Sequence, residues 1–210
     1  MNQQQHWQNI YRDRDSTSVS WFRPHLESSI EEIDAAVYAQ SLTPETAKIL
    51  DAGGGASHLV DDLLARGYRR IVVADIAQSA LDIARCRLAD RAEGVEWICA
   101  DLTADTSLPT GMHVWHDRAV FHFLTAPETR AQYIDAVRRT LVDGGHLIVS
   151  TFGPEGPQRC SDLPTMRYDS SSLAAAVGDG FVLLRDRIEM HRTPAGIEQQ
   201  FLLACFRLAL

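Results

Sequence analysis

The stretch AKILDAGGGASHLVDDLLARGYRRIVVAD, residues 47–75, decides the fold. It opens on an apolar run, AKILDAG (47–53), and closes on a second, RIVVAD (70–75). Between them SHLVDDLLARG (57–67) carries apolar residues at helical spacing, with Ser57 placed to cap the helix and Gly67 to stop it. Unbroken apolar runs of this length read as strands buried on both faces, and a strand–helix–strand unit makes them parallel. The three glycines after the first strand, Gly53, Gly54 and Gly55, let the backbone turn sharply and approach a ligand at the carboxyl edge of such a sheet.

The alternation continues outward. A helix is predicted over 78–91, strands over 95–101 and 112–117, a helix over 127–141, a strand over 146–152 after the turn 142–145, and a helix over 171–177. Upstream, helices are predicted over 5–12 and 26–41. The tail differs: 181–190 and 197–206 are two strand-like runs joined by turn residues that include Pro194, Ala195 and Gly196, which predicts a hairpin adding one antiparallel strand. Residues 1–210 are therefore read as one α/β domain, Rossmann-like and mostly parallel with helices on both faces, and 1–42 as an N-terminal helical segment within it. The one long polar loop rich in Pro and Gly is 153–164.

Composition narrows the function. The chain is 45% hydrophobic and 23% charged, with a formal net charge of −8 and no basic stripe, which disfavours nucleic acid as a partner. Its four cysteines form no CxxC pair and its eight histidines no HExxH spacing, so free thiols and no metal are expected. The opening MNQQQHWQNI has no charged segment followed by an apolar core, and no stretch reaches the length of a membrane span; a cytoplasmic protein without a membrane partner is expected.

The glycine loop alone fits a tight structural turn as well as a ligand site. Two details favour a ligand other than a dinucleotide. His58 stands where dinucleotide folds need a third glycine, and Asp51, just before the loop, would repel a phosphate but attract a cation. Asp75, twenty residues past Gly55, ends the second strand and can accept from both ribose hydroxyls. Asp101 ends the third strand beside Leu102, placed for the edge of an adenine. Each acid alone could be a solvated strand end. Three on successive strands, behind one glycine loop, describe a nucleoside that carries positive charge, as S-adenosylmethionine (SAM) does in its amino group and sulfonium.

With those residues in view, the chain resembles the class I SAM-dependent methyltransferases over nearly its whole length. ILDAGGGAS is similar to that family's first motif, VVADIA to its second and CADL to its third. The resemblance implies a seven-stranded sheet with a reversed final strand, SAM as cofactor, and a cofactor set of Asp51, Gly53, Gly54, Gly55, Ser57, Asp75, Ile76, Asp101 and Leu102. Narrower likenesses bear on the methyl acceptor. Asp117-Arg118 and the apolar stretch after it resemble thiopurine methyltransferases and, more loosely, a motif of some protein lysine methyltransferases. The tail around His191-Arg192, with Cys160 in the long loop, resembles tellurite-resistance methyltransferases. Trp7, Tyr11 and Ser20-Trp21-Phe22 are similar to the N-terminal segments of these enzymes. Trp7 and Tyr11 share one helix face and are expected either to close a lid over the cofactor or simply to pack on the domain.

Charge distinguishes the acceptors. A thiol ionises near pH 8.5 and a lysine near 10.4, so an amine needs help losing its proton, whereas a thiolate or metalloid oxyanion needs cations or donors around it. The candidate catalytic residues are His116, Asp117, Arg118, His191 and Arg192, with His122 close by: many basic groups against one acid. The balance predicts methylation of a small-molecule soft nucleophile, a thiol, selenium or tellurium species. A protein lysine, a non-catalytic SAM-binding module and a dinucleotide-dependent reductase are the alternatives, and Asp117 and Arg118 could merely pair with each other.

Overall fold

The computed structural model describes residues 2–104 and 108–209. Its elements run α1 (Gln3–Asp13), α2 (Glu27–Ala39), β1 (Lys48–Ala52), α3 (Leu59–Ala65), β2 (Arg70–Asp75), α4 (Gln78–Leu88), β3 (Val95–Cys99), β4 (Met112–Arg118), α5 (Pro127–Thr140), β5 (Leu141–Phe152), β6 (Arg159–Cys160), β7 (Leu163–Pro164), α6 (Ser170–Val177), β8 (Phe181–Arg192) and β9 (Glu198–Leu208). Seven strands form one sheet in the order β3-β2-β1-β4-β5-β9-β8. The first five lie parallel; β9 runs antiparallel to β5 and to β8. The order reverses between β1 and β4, the place where a ligand crevice opens in sheets of this type.

The apolar runs fill both faces because successive side chains alternate across a strand. Ile49, Ile71, Val73, Val114 and Ile148 meet α2, α3 and α4 through Ile33, Leu59, Leu63 and Leu81. Leu50, Val72, Trp115 and Leu147 point the other way, into a layer with Tyr133 and Val137 of α5 and Leu173 of α6. Each such side chain contributes about 1.5–3 kcal/mol by leaving water, so the sheet is held rigid behind its carboxyl edge.

Three local expectations change. Ser57 lies one residue further from the helix than predicted: α3 begins after His58, and Ser57 Oγ accepts from Leu59 N at 3.1 Å. The turn at 142–145 is a bulge inside β5, where the pairing with β4 skips from Met112↔Leu141 to Val114↔His146. The polar loop 153–164 folds part of itself into the β6–β7 ribbon.

Candidate active site

A cleft of about 910 Å³ runs along the carboxyl edge of the sheet beneath α1, and a smaller one of about 500 Å³ adjoins it at Tyr11, Trp21, Gly53 and Arg118. The smaller cleft is built on the first strand. Parallel pairing sets Asp51 of β1 beside His116 of β4. His116 Nδ1 lies 2.8 Å from Asp51 Oδ1 and its Nε2 2.9 Å from Ser29 Oγ of α2, with all three residues buried. One carboxylate oxygen is thereby held, while Asp51 Oδ2 is buried with no partner. A Cβ at Gly54 would lie 2.4 Å from that oxygen, and one at Gly53, where φ is +68°, only 2.0 Å from Val120 Cγ2. Bare backbone is therefore required here. Arg23 and Arg118 line the same cleft. Burial, with Arg23 close by, pulls the Arg118 pKa down to about 10. An unsatisfied acid and two guanidinium groups in one hollow match the ammonium and carboxylate of an amino acid.

The larger cleft continues from Gly53 past Asp75, Ile76, Asp101 and Leu102. Asp75 accepts from Ala77 N at 2.8 Å, and burial, with Asp51 as a further cause, raises its pKa to about 7. Asp101 is exposed and closes a turn by accepting from Thr103 N at 2.9 Å. Above them α1 is pinned to α4, where Ser79 N donates to Gln8 Oε1 at 2.9 Å. Trp7 meets Trp21 and Phe123 edge-on, at 5.8 Å and 5.1 Å between ring centroids, so the helix brings an aromatic roof to the cleft.

Beyond Arg118 the lining changes character. Ala119 turns the chain with φ +70°, a conformation costly for a residue with a Cβ, and a short 3-10 turn (Phe121–Phe123) follows. His122 of that turn lies stacked on Phe152 at 4.3 Å, and Phe201, Gln199 and Cys160 complete the wall.

Comparison with known proteins agrees with this geometry. Residues 49–145 match the family model described as a methyltransferase domain. Over that span, a little under half of the chain, the protein is similar to the methyltransferase domain.

No curated protein matches the sequence of this chain. Solved structures share its fold at low identity. One, described as "Conversion of a Disulfide Bond into a Thioacetal Group during Echinomycin Biosynthesis", is 16% identical with a TM-score of 0.77, over 98% of this chain and 93% of that one. The Burkholderia thailandensis 1,6-didemethyltoxoflavin-N1-methyltransferase, with 1,6-didemethyltoxoflavin and S-adenosylhomocysteine bound, is 17% identical with a TM-score of 0.74, over 99% and 87%. A TehB-like SAM-dependent methyltransferase from Corynebacterium glutamicum is 18% identical with a TM-score of 0.60, over 97% and 95%.

The sequence-predicted cofactor residues Trp7, Tyr11, Asp51, Gly53, Gly54, Ser57, Asp75, Ile76, Asp101 and Leu102 all line one cleft or the other. Gly55 supports them from behind, since a Cβ there would press on Asp75 Oδ2 at 2.8 Å. The predicted catalytic set is not brought together. Asp117 is wholly buried and lines no cleft; its carboxylate accepts from Val120 N, Phe121 N and the Tyr133 hydroxyl, tying down the turn that follows β4. It does not pair with Arg118, whose Nη1 donates to the Trp21 carbonyl at 2.8 Å. His116 braces Asp51. His191 Nδ1 accepts from Arg23 Nε at 3.1 Å and its Nε2 donates to the Ser20 carbonyl at 2.7 Å, so it fastens the N-terminal segment from outside the cleft. Arg192 is exposed next to the hairpin turn. Arg23, Ser29, Phe152, Gln199 and Phe201 took no part in the sequence reading as site residues, because no local motif marks them.

Among the described residues, no helix is long and apolar enough to cross a membrane, and no group of three or more His, Cys, Asp or Glu side chains could hold a metal ion.

Proposed function

We propose that this methyltransferase, acting through residues 1–210 as one domain, methylates a small-molecule soft nucleophile: a thiol, selenium or tellurium species. One observation carries the reading: the acceptor end of the cleft presents Arg118, neutral His122 and aromatic walls, and its acids, Asp75 and Asp101, lie on the β2 and β3 side. Among the described residues, an ammonium group arriving there meets no carboxylate to take its proton, whereas an anionic nucleophile meets a cation. The roof formed by α1 supports a small acceptor over a protein tail. One structural neighbour is in keeping with a sulfur acceptor, being tied to conversion of a disulfide into a thioacetal group.

In this reading Asp51 Oδ2 takes the ammonium of SAM, Arg23 its carboxylate, Asp75 the ribose hydroxyls, and Ile76, Asp101 and Leu102 the adenine. Trp7, Tyr11 and Trp21 exclude water from the reacting centre. When bound, SAM supplies an electrophilic methyl: the acceptor's lone pair forms the new bond while the carbon–sulfur pair returns to sulfur and leaves S-adenosylhomocysteine. Arg118 stands at the junction of the two clefts and keeps the acceptor anionic and in line. The test is release of S-adenosylhomocysteine from purified protein with a panel of thiols, selenite, tellurite and a lysine peptide. Turnover confined to the thiols or the selenium and tellurium species is expected; turnover confined to the peptide overturns the reading.

A further inference from the structure

Exposed apolar side chains are gathered at one edge of the sheet. Of the large hydrophobic residues exposed among the described ones, Val182, Leu184, Ile188 and Met190 lie on β8 and Ile197 in the hairpin turn after it; only Tyr38 lies elsewhere. β8 is the last strand in the sheet order, so among the described residues one edge of its backbone has no neighbouring strand. A long edge strand with apolar side chains is a template for pairing. Its pairing with β9 is unbroken from Arg185 to Arg192 and slips at Leu184, so the regular part begins at Arg185. Side chains alternate along it. Arg185, Arg187 and Glu189 lie on the face of α2, where both arginines meet Glu32 and Arg187 also meets Glu189. Asp186, Ile188 and Met190 lie on the face of α6, where the Ser170 hydroxyl donates to Asp186.

Symmetry and charge select one partner and one register. Two copies of a strand that pair antiparallel about a two-fold axis keep each face of the sheet on its own side, so the axis stands on a residue and not between two. Like charges directly opposite are destabilising, which removes axes on Arg185, Asp186, Arg187 and Glu189. An axis on Met190 or His191 runs the ladder into the hairpin turn. Ile188 meets its own copy without conflict. Arg187 then faces the other copy's Glu189, twice by symmetry, and Arg185 faces the other copy's His191, which burial keeps neutral by lowering its pKa to about 4. Met190 stands opposite Asp186, already held by Ser170, and diagonal to Ile188. We propose that two copies of this chain pair through β8, antiparallel about a two-fold axis at Ile188, joining their sheets into one. The backbone ladder and the Ile188–Met190 patch supply the affinity; the partly exposed ion pairs add little to it and fix the register. This goes beyond the reaction proposed above and does not depend on it.

Sedimentation velocity of the full chain tests the assembly. Wild type is expected at twice the chain mass. Ile188→Lys, which sets two ammonium groups against each other on the axis, should weaken association by about 100-fold or more, while Val182→Lys, beyond the slip at Leu184, should leave it unchanged. A second variant reads the register. Ile188→Cys treated with a short bis-maleimide should give a covalent dimer joined between the two introduced thiols, located by peptide mass spectrometry so that the exposed Cys86 and Cys99 are told apart. A wild type that stays monomeric at every concentration, an Ile188→Lys protein as dimeric as wild type, or an absence of that crosslink overturns the proposal. Should Ile188→Lys fail to fold, the wild-type mass and the crosslink decide.

Discussion

At the β1–β3 end of the cleft, the acids that face the ligand sit at or just beyond the last residues of three neighbouring parallel strands, behind one glycine turn. At the other end, the lining side chains come from a 3-10 turn after β4, the end of β5, a ribbon strand and the antiparallel β9. The first end is a repeat of one local device, and its ligand groups are acids. The second is assembled from segments far apart in the chain, and its ligand groups are neutral or aromatic. The contrast teaches that a parallel sheet provides a standing cofactor seat from short-range sequence, whereas acceptor chemistry is left to whatever the returning hairpin and the loops bring opposite.

The largest effect that could break this contrast is at Asp75. Asp75→Ala should weaken SAM by about 100-fold or more in calorimetry, because two hydroxyls lose a buried charged acceptor. An intact affinity would remove the nucleoside from the first end. The same residue predicts a pH dependence. Its pKa is raised to about 7, so wild-type affinity for SAM should rise between pH 6 and pH 8 as the carboxylate ionises, and be flat in Asp75→Asn. The sign for stability is opposite. A buried acid that keeps its proton in the folded state destabilises the fold as pH climbs from its usual value toward 7, so Asp75→Asn should raise the melting temperature at pH 8.

A second test sharpens the boundary between the ends. Arg23→Ala should weaken SAM by about tenfold yet leave binding of methylthioadenosine, which lacks the carboxylate, unchanged. Asp117→Ala, by contrast, should cost about 3 kcal/mol of stability in denaturant unfolding, through loss of its bonds to Val120, Phe121 and Tyr133, with SAM affinity of the folded protein preserved. A variant as stable as wild type would show that the turn after β4 does not need that anchor. The smallest effect is at Arg192. Arg192→Ala should change stability by less than about 0.5 kcal/mol and leave turnover as it was, since the side chain is exposed away from both clefts.

The outcome for individual residues follows the same division. The placement of Asp51, Asp75 and Gly53–Gly55 at the clefts was legible because it depends on position relative to a strand end, which apolar runs reveal. Asp117 and His191 misled because a charged residue next to a motif looks alike whether it faces a ligand or ties down a loop. His116 was flagged for the acceptor, yet the pairing of β1 with β4 turns it onto Asp51. Arg23 and Gln199 carried no signal: an arginine in an irregular segment and a glutamine in a strand acquire roles only from what lies across the cleft.

Short-range pattern by itself therefore determined the alternating elements, the reversed final hairpin, the glycine turn and the acids at the strand ends. Each of these depends on side-chain periodicity or on backbone freedom within a few residues. Tertiary structure alone decided which basic groups line the clefts, which buried acid is a brace, and which polar atoms are buried without a partner. Those facts arise from pairing between strands distant in sequence, and the burial of the His122 and Gln199 polar atoms exists only once the sheet is closed by β9.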